Sequence, residues 1–110
     1  MARPRTLVAL STAPASAARA LARALVRERL CACVNVVPGV GSVYRWKGRI
    51  HEDRESLLVM KLAAASLPAL RRRLSAVHPY ELPELVALPV AGGLPAYLSW
   101  VERESGPPSA

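Results

Sequence analysis

The run Cys33-Val-Asn-Val-Val-Pro-Gly-Val-Gly-Ser-Val-Tyr-Arg-Trp46 is followed by Lys47-Gly48 and then by the run from Arg49 to Leu62. Lys47-Gly48 has the length of a two-residue hairpin turn, in which Gly48 can adopt positive φ without strain. Pro38-Gly39 interrupts the first run, which otherwise begins with β-branched residues. The sequence therefore predicts two long strands joined as one β-hairpin.

The predicted hairpin is too long for the globule that the chain can form. At about 3.3 Å per residue, each strand reaches on the order of 45 Å, whereas a compact domain of this length is roughly 35 Å across. The segment Leu57–Met60 is apolar on both faces of its strand. We therefore expect the hairpin to overhang its own core and to be received by a partner subunit.

The elements on either side of the hairpin complete a four-stranded sheet. We predict a strand over 6–10, a helix over 15–30, a helix from Ser66 that ends at His78, a strand over 85–90 and a last short helix after Gly92-Gly93. Pro79 disfavours helical geometry before it, and Pro89 suits a sheet edge. The order predicts an α+β, ferredoxin-like βαββαβ sandwich with both helices on one face, an extra C-terminal helix and a flexible tail over 105–110.

Length and cysteine content limit the class of protein. The chain has 110 residues, enough for one domain. The apolar run Leu7–Leu10 is too short for an export signal, and no run approaches the ~20 apolar residues of a membrane span. Cys31 and Cys33 are spaced poorly for a disulfide. We expect a cytoplasmic protein without membrane contact, with Cys33 as a small buried hydrophobe and Cys31 as the more exposed thiol.

The charge balance and the predicted topology each suggest another class of function, and both classes stay as alternatives. The formal net charge of +7 is a first indication of nucleic-acid binding. The basic residues are spread along the chain, however, and an RNA-binding sheet displays aromatic residues where the first strand here is aliphatic. An acylphosphatase-like hydrolase also uses this topology, but Ser11-Thr-Ala-Pro14 lacks the arginine of its phosphate loop. We expect no catalytic residue and no nucleic-acid partner.

Several separated motifs occur together and in a characteristic order. They are Leu30-Cys-Ala-Cys-Val-Asn-Val-Val-Pro-Gly39, Ser42-Val-Tyr-Arg-Trp-Lys-Gly48, Glu55, Lys61, His78-Pro-Tyr-Glu-Leu-Pro-Glu84, Ala87-Leu-Pro-Val90 and Tyr97-Leu-Ser-Trp100. In these motifs the chain resembles the CutA1 divalent-ion tolerance proteins from Thr6 to about Glu104. The resemblance implies a single domain over residues 5–104, a PII-like homotrimer joined through the long hairpins, and a function in tolerance of copper and other divalent metals.

The resemblance also implies a copper site, which this chain carries only in part. In the family, copper binding is attributed to a cysteine just after the first strand and to a His-His pair at the end of the second helix. Those positions are Ser11 and Val77-His78 in this chain. His78 is therefore the metal-ligand candidate, and a single imidazole does not hold a transition metal tightly. We expect weak binding of copper or another divalent metal at this position.

Two groups of residues are candidates for binding a metal ion or a small ligand at an inter-subunit cleft. The turn pairs Trp46 with Arg49 and Tyr44 with His51, and these aromatic side chains could stack a flat ligand or pack on a neighbouring subunit. The second group lies in a proline-bounded loop, where the side chains could point into a cleft or form interface hydrogen bonds. It consists of Tyr80, Glu81 and Glu84, with Trp100 on the last helix as a further candidate.

Glu55 and Lys61 complete the candidate site residues. They lie six residues apart, and therefore on one face of the same strand. A lysine that enters a buried region needs a carboxylate partner. The pair is interpreted either as a structural ion pair or as part of an anion-binding pocket between subunits, with Lys61 as its cation.

Overall fold

The computed structural model describes residues 5–107. Residues 1–4 and 108–110, which include the end of the predicted C-terminal tail, lie outside the described residues. The strands are β1 (Thr6–Ala13), β2 (Cys33–Trp46), β3 (Arg49–Ala63) and β4 (Val86–Pro89), and the helices are α1 (Ala15–Arg27), α2 (Leu67–Val77) and α3 (Pro95–Glu104). The strands form one antiparallel sheet in the order β2-β3-β1-β4. The predicted ferredoxin-like α+β topology with an added C-terminal helix is confirmed.

The hairpin of β2 and β3 turns at Lys47-Gly48, as predicted. Both turn residues have positive φ, 50° at Lys47 and 79° at Gly48, which matches the twist of a two-residue hairpin. Pro38-Gly39 does not end the first strand. It forms a bulge between Val37 and Val40, after which pairing resumes as far as Trp46 and Arg49. The described chain extends 47 × 29 × 22 Å, so the hairpin overhangs the core as its length predicts.

One face of the sheet carries the core and both long helices. Alternate strand residues, among them Leu58 and Met60 of β3, pack against Leu25 of α1 and against Leu70 and Leu74 of α2. All five side chains are fully or almost fully buried. Burial of such a large aliphatic side chain contributes about 1.5–3 kcal/mol, so the position of the sheet under these helices is well determined.

The other face of the sheet is largely apolar, and several of its residues are exposed. Because side chains alternate across a strand, the residues between the core positions all point to this face. They form cross-strand rows such as Val86, Leu10 and Val59. Val37, Val86 and Leu88 are each more than 40% exposed there. The two long helices, α1 and α2, lie on the opposite face of the sheet.

Several boundaries differ from the sequence prediction. Helix α1 ends at Arg27 instead of Leu30, because Arg29 takes a left-handed conformation with φ 61°. Strand β1 continues to Ala13, since β3 offers pairing partners as far as Ser56. Strand β4 is confined to Val86–Pro89 at the sheet edge.

The tail that was predicted to be flexible from residue 105 is attached at its start. The Ser105 hydroxyl donates to the Val101 carbonyl at 2.5 Å and accepts from the Ala63 amide at 2.7 Å. The Arg29 guanidinium donates to the carbonyls of Gly106 at 2.6 Å and Arg103 at 2.7 Å. These bonds hold the end of α3 against the loop after α1, so the prediction was wrong for residues 105 and 106.

Among residues 5–107, no helix is both long and apolar enough to cross a membrane.

Candidate ligand-binding cleft

The overhang of the hairpin creates a cleft beside it. Strand β1 ends at Ala13, opposite Ser56, so within residues 5–107 β3 has no sheet partner on that side from Glu55 outward to the turn. The loop after α2, residues 78–84, lies along this free edge. A cleft of about 620 Å³ opens between the loop and the hairpin.

His78 fixes the loop to the end of β1. Its backbone amide donates to the Leu74 carbonyl at 2.9 Å, which ends α2. In the ring, Nδ1 accepts a bond from the Tyr80 amide at 3.1 Å, and Nε2 lies 2.7 Å from the Thr12 carbonyl. Since Nδ1 is an acceptor, the proton of the neutral ring belongs on Nε2, where it is donated to Thr12. His78 is 7% exposed, and both ring nitrogens are occupied within the chain.

Tyr80 connects the loop to the hairpin. Its hydroxyl donates to Glu55 Oε2 at 2.6 Å, and Glu55 is 7% exposed. Burial and this hydrogen bond raise the pKa of Tyr80 well above the usual value of a phenol. Tyr80 therefore remains a neutral donor at physiological pH.

A second tyrosine lies on the facing strand. Tyr44 donates to Asp53 and stacks on His51 with ring centroids 5.5 Å apart. The hydrogen bond to Asp53, with a smaller contribution from burial, raises the pKa of Tyr44. The cross-strand pairing of Tyr44 with His51 was predicted and is confirmed.

The cleft collects carboxylates and aromatic rings in one place. Its acidic residues are Asp53, Glu55, Glu81 and Glu84, and its aromatic residues are Tyr44, Trp46 and Tyr80. Among the described lining residues, a single side chain is cationic, that of Arg45. Six of the eight ligand candidates named from the sequence therefore border one cavity, and that cavity is acidic although the chain is basic.

Lys47 places an ammonium group at the rim of the cleft. Its Nζ lies 5.5 Å from the centroid of the Trp46 ring and 3.7 Å from Glu81 Oε2. Both members of the ion pair are exposed, so the pair adds little to stability. The geometry nevertheless shows that this ring and this carboxylate can hold one cation between them.

Lys61 and Trp100 lie outside the cleft. Lys61 is on the open sheet face and donates to Asn35 Oδ1 of β2; no carboxylate in the described residues pairs with it. The predicted partner Glu55 bonds to Tyr80 instead, because a separation of six residues in a strand spans roughly 20 Å. Trp100 packs against Tyr97 on α3, with ring centroids 5.6 Å apart.

The copper position implied by the resemblance does not have the donors of a metal site. Ser11 Oγ is buried without a hydrogen-bond partner in the described residues, Val77 has no donor atom, and both ring nitrogens of His78 are in use. Within residues 5–107, no three His, Cys, Asp or Glu side chains form a group that could hold a metal ion. The residues present do not fit a copper centre at this position.

The two cysteines exchange their expected roles. Cys31 is fully buried in the core, and Cys33 is the partly exposed thiol, on the open sheet face. Burial, with a smaller contribution from Cys33, raises the pKa of the Cys31 thiol to about 12. The prediction failed because α1 ends early, so the connection that carries Cys31 turns inward before β2 begins.

Sequence reasoning did not identify six further lining residues of the cleft. They are Thr12, Ser42, Val43, Arg45, Asp53 and Leu82. Asp53 could have been found, since it lies two residues from Glu55 and therefore on the same face of β3. Thr12 could not, because the strand was expected to end at Leu10.

Comparison with known proteins places the chain in a family. The family model described as CutA1 divalent ion tolerance protein matches residues 6–104. A protein named divalent-cation tolerance protein CutA, from Thermus thermophilus, is 50% identical over 100 residues, which are 90% of this chain and 97% of that protein. Mouse protein CutA is 49% identical over 86 residues, or 78% of this chain; the match spans 49% of the mouse protein.

Solved structures agree with the sequence comparison. A structure of the Thermus thermophilus divalent cation tolerance protein superposes with a TM-score of 0.88 at 49% identity, covering 92% of this chain and 99% of that one. A structure described as PII-like protein CutA, from Nostoc sp. PCC 7120, gives a TM-score of 0.86 at 37% identity, covering 91% and 97%. The sequence match over residues 6–104 and the agreement of the folds together show that this chain belongs to the CutA1 divalent ion tolerance protein family.

Proposed function

We propose that the chain acts as a homotrimeric, PII-like binding and signalling protein in tolerance of divalent metal ions, and that it catalyses no reaction. The names of its relatives support the connection with divalent cations. The description of the Nostoc structure as PII-like supports a binding protein. Copper is one candidate among these cations.

The open face of the sheet is the observation that carries the proposal. It is a largely apolar surface, interrupted by the Lys61–Asn35 pair, with exposed residues such as Val37, Val86 and Leu88. An exposed apolar face of this kind marks an interaction surface. In a closed ring of three subunits, each face is covered by its neighbours, and each overhanging hairpin has a subunit to pack against.

The cleft is adjacent to that face. Glu55 and Asp53 continue, toward the hairpin turn, the same side of β3 that carries Leu57 and Val59. A neighbouring subunit on the open face would therefore border the cleft. A ligand bound there would contact two subunits and could report its presence through their relative position.

The role of metal in this proposal does not require the inherited copper position. Copper binding at Ser11, Val77 and His78 is expected to be weak, because His78 would have to give up a hydrogen bond to become a ligand. Divalent cations would then act through another site or through a small molecule whose level responds to them.

We propose the cytoplasm as the location. Cys31 and Cys33 are both free thiols, and unpaired cysteines are typical of a reducing compartment.

Growth under metal stress tests this function. Cells that lack the protein are complemented with the wild type, with Leu88→Asp on the open face, or with Arg19→Asp on the exposed side of α1 as a control for the charge change. Growth is measured in graded copper, zinc and cadmium. We expect the wild type and Arg19→Asp to restore tolerance and Leu88→Asp to fail. Equal growth of all strains, with or without the protein, would contradict a function in metal tolerance.

A further inference from the structure

We propose that the cleft between the hairpin and the loop of residues 78–84 binds an organic cation, an ammonium or guanidinium group attached to a flat apolar body, in preference to a bare metal ion. This inference rests on the proposed function, which makes the cleft the ligand site. It adds the chemical class of the ligand.

The charge of the cleft is opposite to that of the chain. The whole chain has 15 Lys and Arg against 8 Asp and Glu, yet four of those eight acidic residues line this one cavity. A concave site with one sign of charge concentrates ligands of the opposite sign. The cleft therefore selects cations against anions such as nucleotides.

The carboxylates are distributed in a way that does not suit a bare ion. Asp53 and Glu55 are on β3, whereas Glu81 and Glu84 are on the loop that faces it. A divalent ion needs several oxygen ligands at 2.0–2.6 Å from one point, and the described residues contain no such group of three acidic, His or Cys side chains. A cavity of about 620 Å³ has the size of an organic ligand site.

The aromatic walls suit the rest of such a ligand. Tyr44 and Trp46 come from β2, and Tyr80 comes from the loop. Flat rings on opposite sides of a cleft can stack on an apolar body, and their faces attract a cation. A hydrated metal ion makes no use of such walls.

An ammonium group of the chain itself already contacts an aromatic ring and a carboxylate of this cleft. The Lys47 ammonium lies over Trp46 and beside Glu81 at the rim. Deeper in the cleft, Glu55 is 7% exposed and accepts one bond, from the neutral Tyr80 hydroxyl. No Lys, Arg or His in the described residues forms an ion pair with Glu55. Among the described residues, Glu55 accepts this bond at Oε2 only, so the carboxyl group keeps acceptor capacity for a ligand ammonium group.

Fluorescence titration of the full chain tests the proposal. Trp100→Phe leaves Trp46 as the single tryptophan, since the chain has two. The probe is 2-phenylethylamine, compared with neutral 2-phenylethanol, anionic 3-phenylpropionate, and Cu²⁺, Mn²⁺ and Zn²⁺ alone. Glu55→Gln keeps an acceptor for Tyr80 but removes the charge, and Glu102→Gln on α3 is the matched control.

We expect saturable binding of the amine at millimolar concentrations, weaker binding of the alcohol by about tenfold or more, and no binding of the acid. Glu55→Gln should lower the affinity for the amine by about tenfold, whereas Glu102→Gln should bind it like the wild type. Binding of a metal alone that Glu55→Gln abolishes would overturn the organic cation and leave the cleft as the ligand site. The proposal would also be overturned by tighter binding of the alcohol or the acid, or by amine binding that is the same in Glu55→Gln and the wild type. If no probe binds, the proposal is overturned and the cleft itself is not the ligand site.

Discussion

Replacement of His78 by alanine separates a structural role of this residue from a role as a metal ligand. The substitution removes the bond from Nε2 to the Thr12 carbonyl and the bond from the Tyr80 amide to Nδ1. It also removes the side chain that fixes the cleft loop to β1. We expect the folded state to lose stability while affinity for copper stays the same.

The magnitude follows from the two lost bonds and their burial. Each intramolecular hydrogen bond contributes about 1 kcal/mol, and a buried group left without a partner costs about 1–3 kcal/mol. His78 is 7% exposed, and both bonds are partly buried. The free energy of unfolding should fall by about 3 kcal/mol, with a drop in Tm on the order of 10 °C.

The assay is thermal and urea unfolding at one fixed chain concentration, because the proposed assembly would make the transition concentration-dependent. The control is His51→Ala on the hairpin, whose ring stacks on Tyr44 and has no hydrogen bond in the described residues. It should cost less than about 1 kcal/mol. Copper is titrated into all three proteins. If His78→Ala unfolds like the wild type but loses tight copper binding, the structural assignment of His78 is wrong.

Three further expectations concern thiols, the C-terminal attachment and alkaline pH. In Cys33→Ser, the remaining thiol of Cys31 should resist alkylation until the protein unfolds. The shift of its pKa from 9.0 to about 12 lowers the thiolate population about 1000-fold. Rapid alkylation of the folded protein would contradict the burial of Cys31. Arg29→Ala should lower the free energy of unfolding by about 1–2 kcal/mol, because the bonds that hold α3 are lost; unchanged urea denaturation would show that these bonds do not matter. The raised pKa of Tyr80 means that its contribution to stability is complete below the usual phenol value of about 10 and is lost as pH rises through its own pKa. Tyr80→Phe should therefore weaken the alkaline loss of stability, and an unchanged pH profile would argue against the bond to Glu55.

The hairpin and its register could be predicted from the sequence because they follow from local chemistry. Gly48 fixes the position of the turn, and the period of two then pairs Tyr44 with His51 and Trp46 with Arg49. Length alone predicted the overhang. The bulge at Pro38-Gly39 shifts the pairing of residues 33–37 relative to the register set by the turn, and no local signal gives the size of such a shift.

The contacts between distant segments could not be predicted in the same way. Lys61 and Glu55 share a face, but their partners Asn35 and Tyr80 come from other elements. The burial of Cys31 depends on where α1 ends, which is associated with the left-handed Arg29 and its bonds to Arg103 of α3 and to Gly106. These features are set by tertiary structure, which a single sequence does not reveal.

The mass of the protein in solution tests the central claim of a trimer formed through the open sheet face. Sedimentation equilibrium of the wild type should give about 35 kDa, three chains of 11.8 kDa each. Leu88→Asp should give the single-chain mass while its circular dichroism keeps the folded spectrum, because Leu88 is already 48% exposed in the isolated subunit. A wild type that remains at 11.8 kDa at micromolar concentration, or a Leu88→Asp variant that assembles like the wild type, would contradict the account.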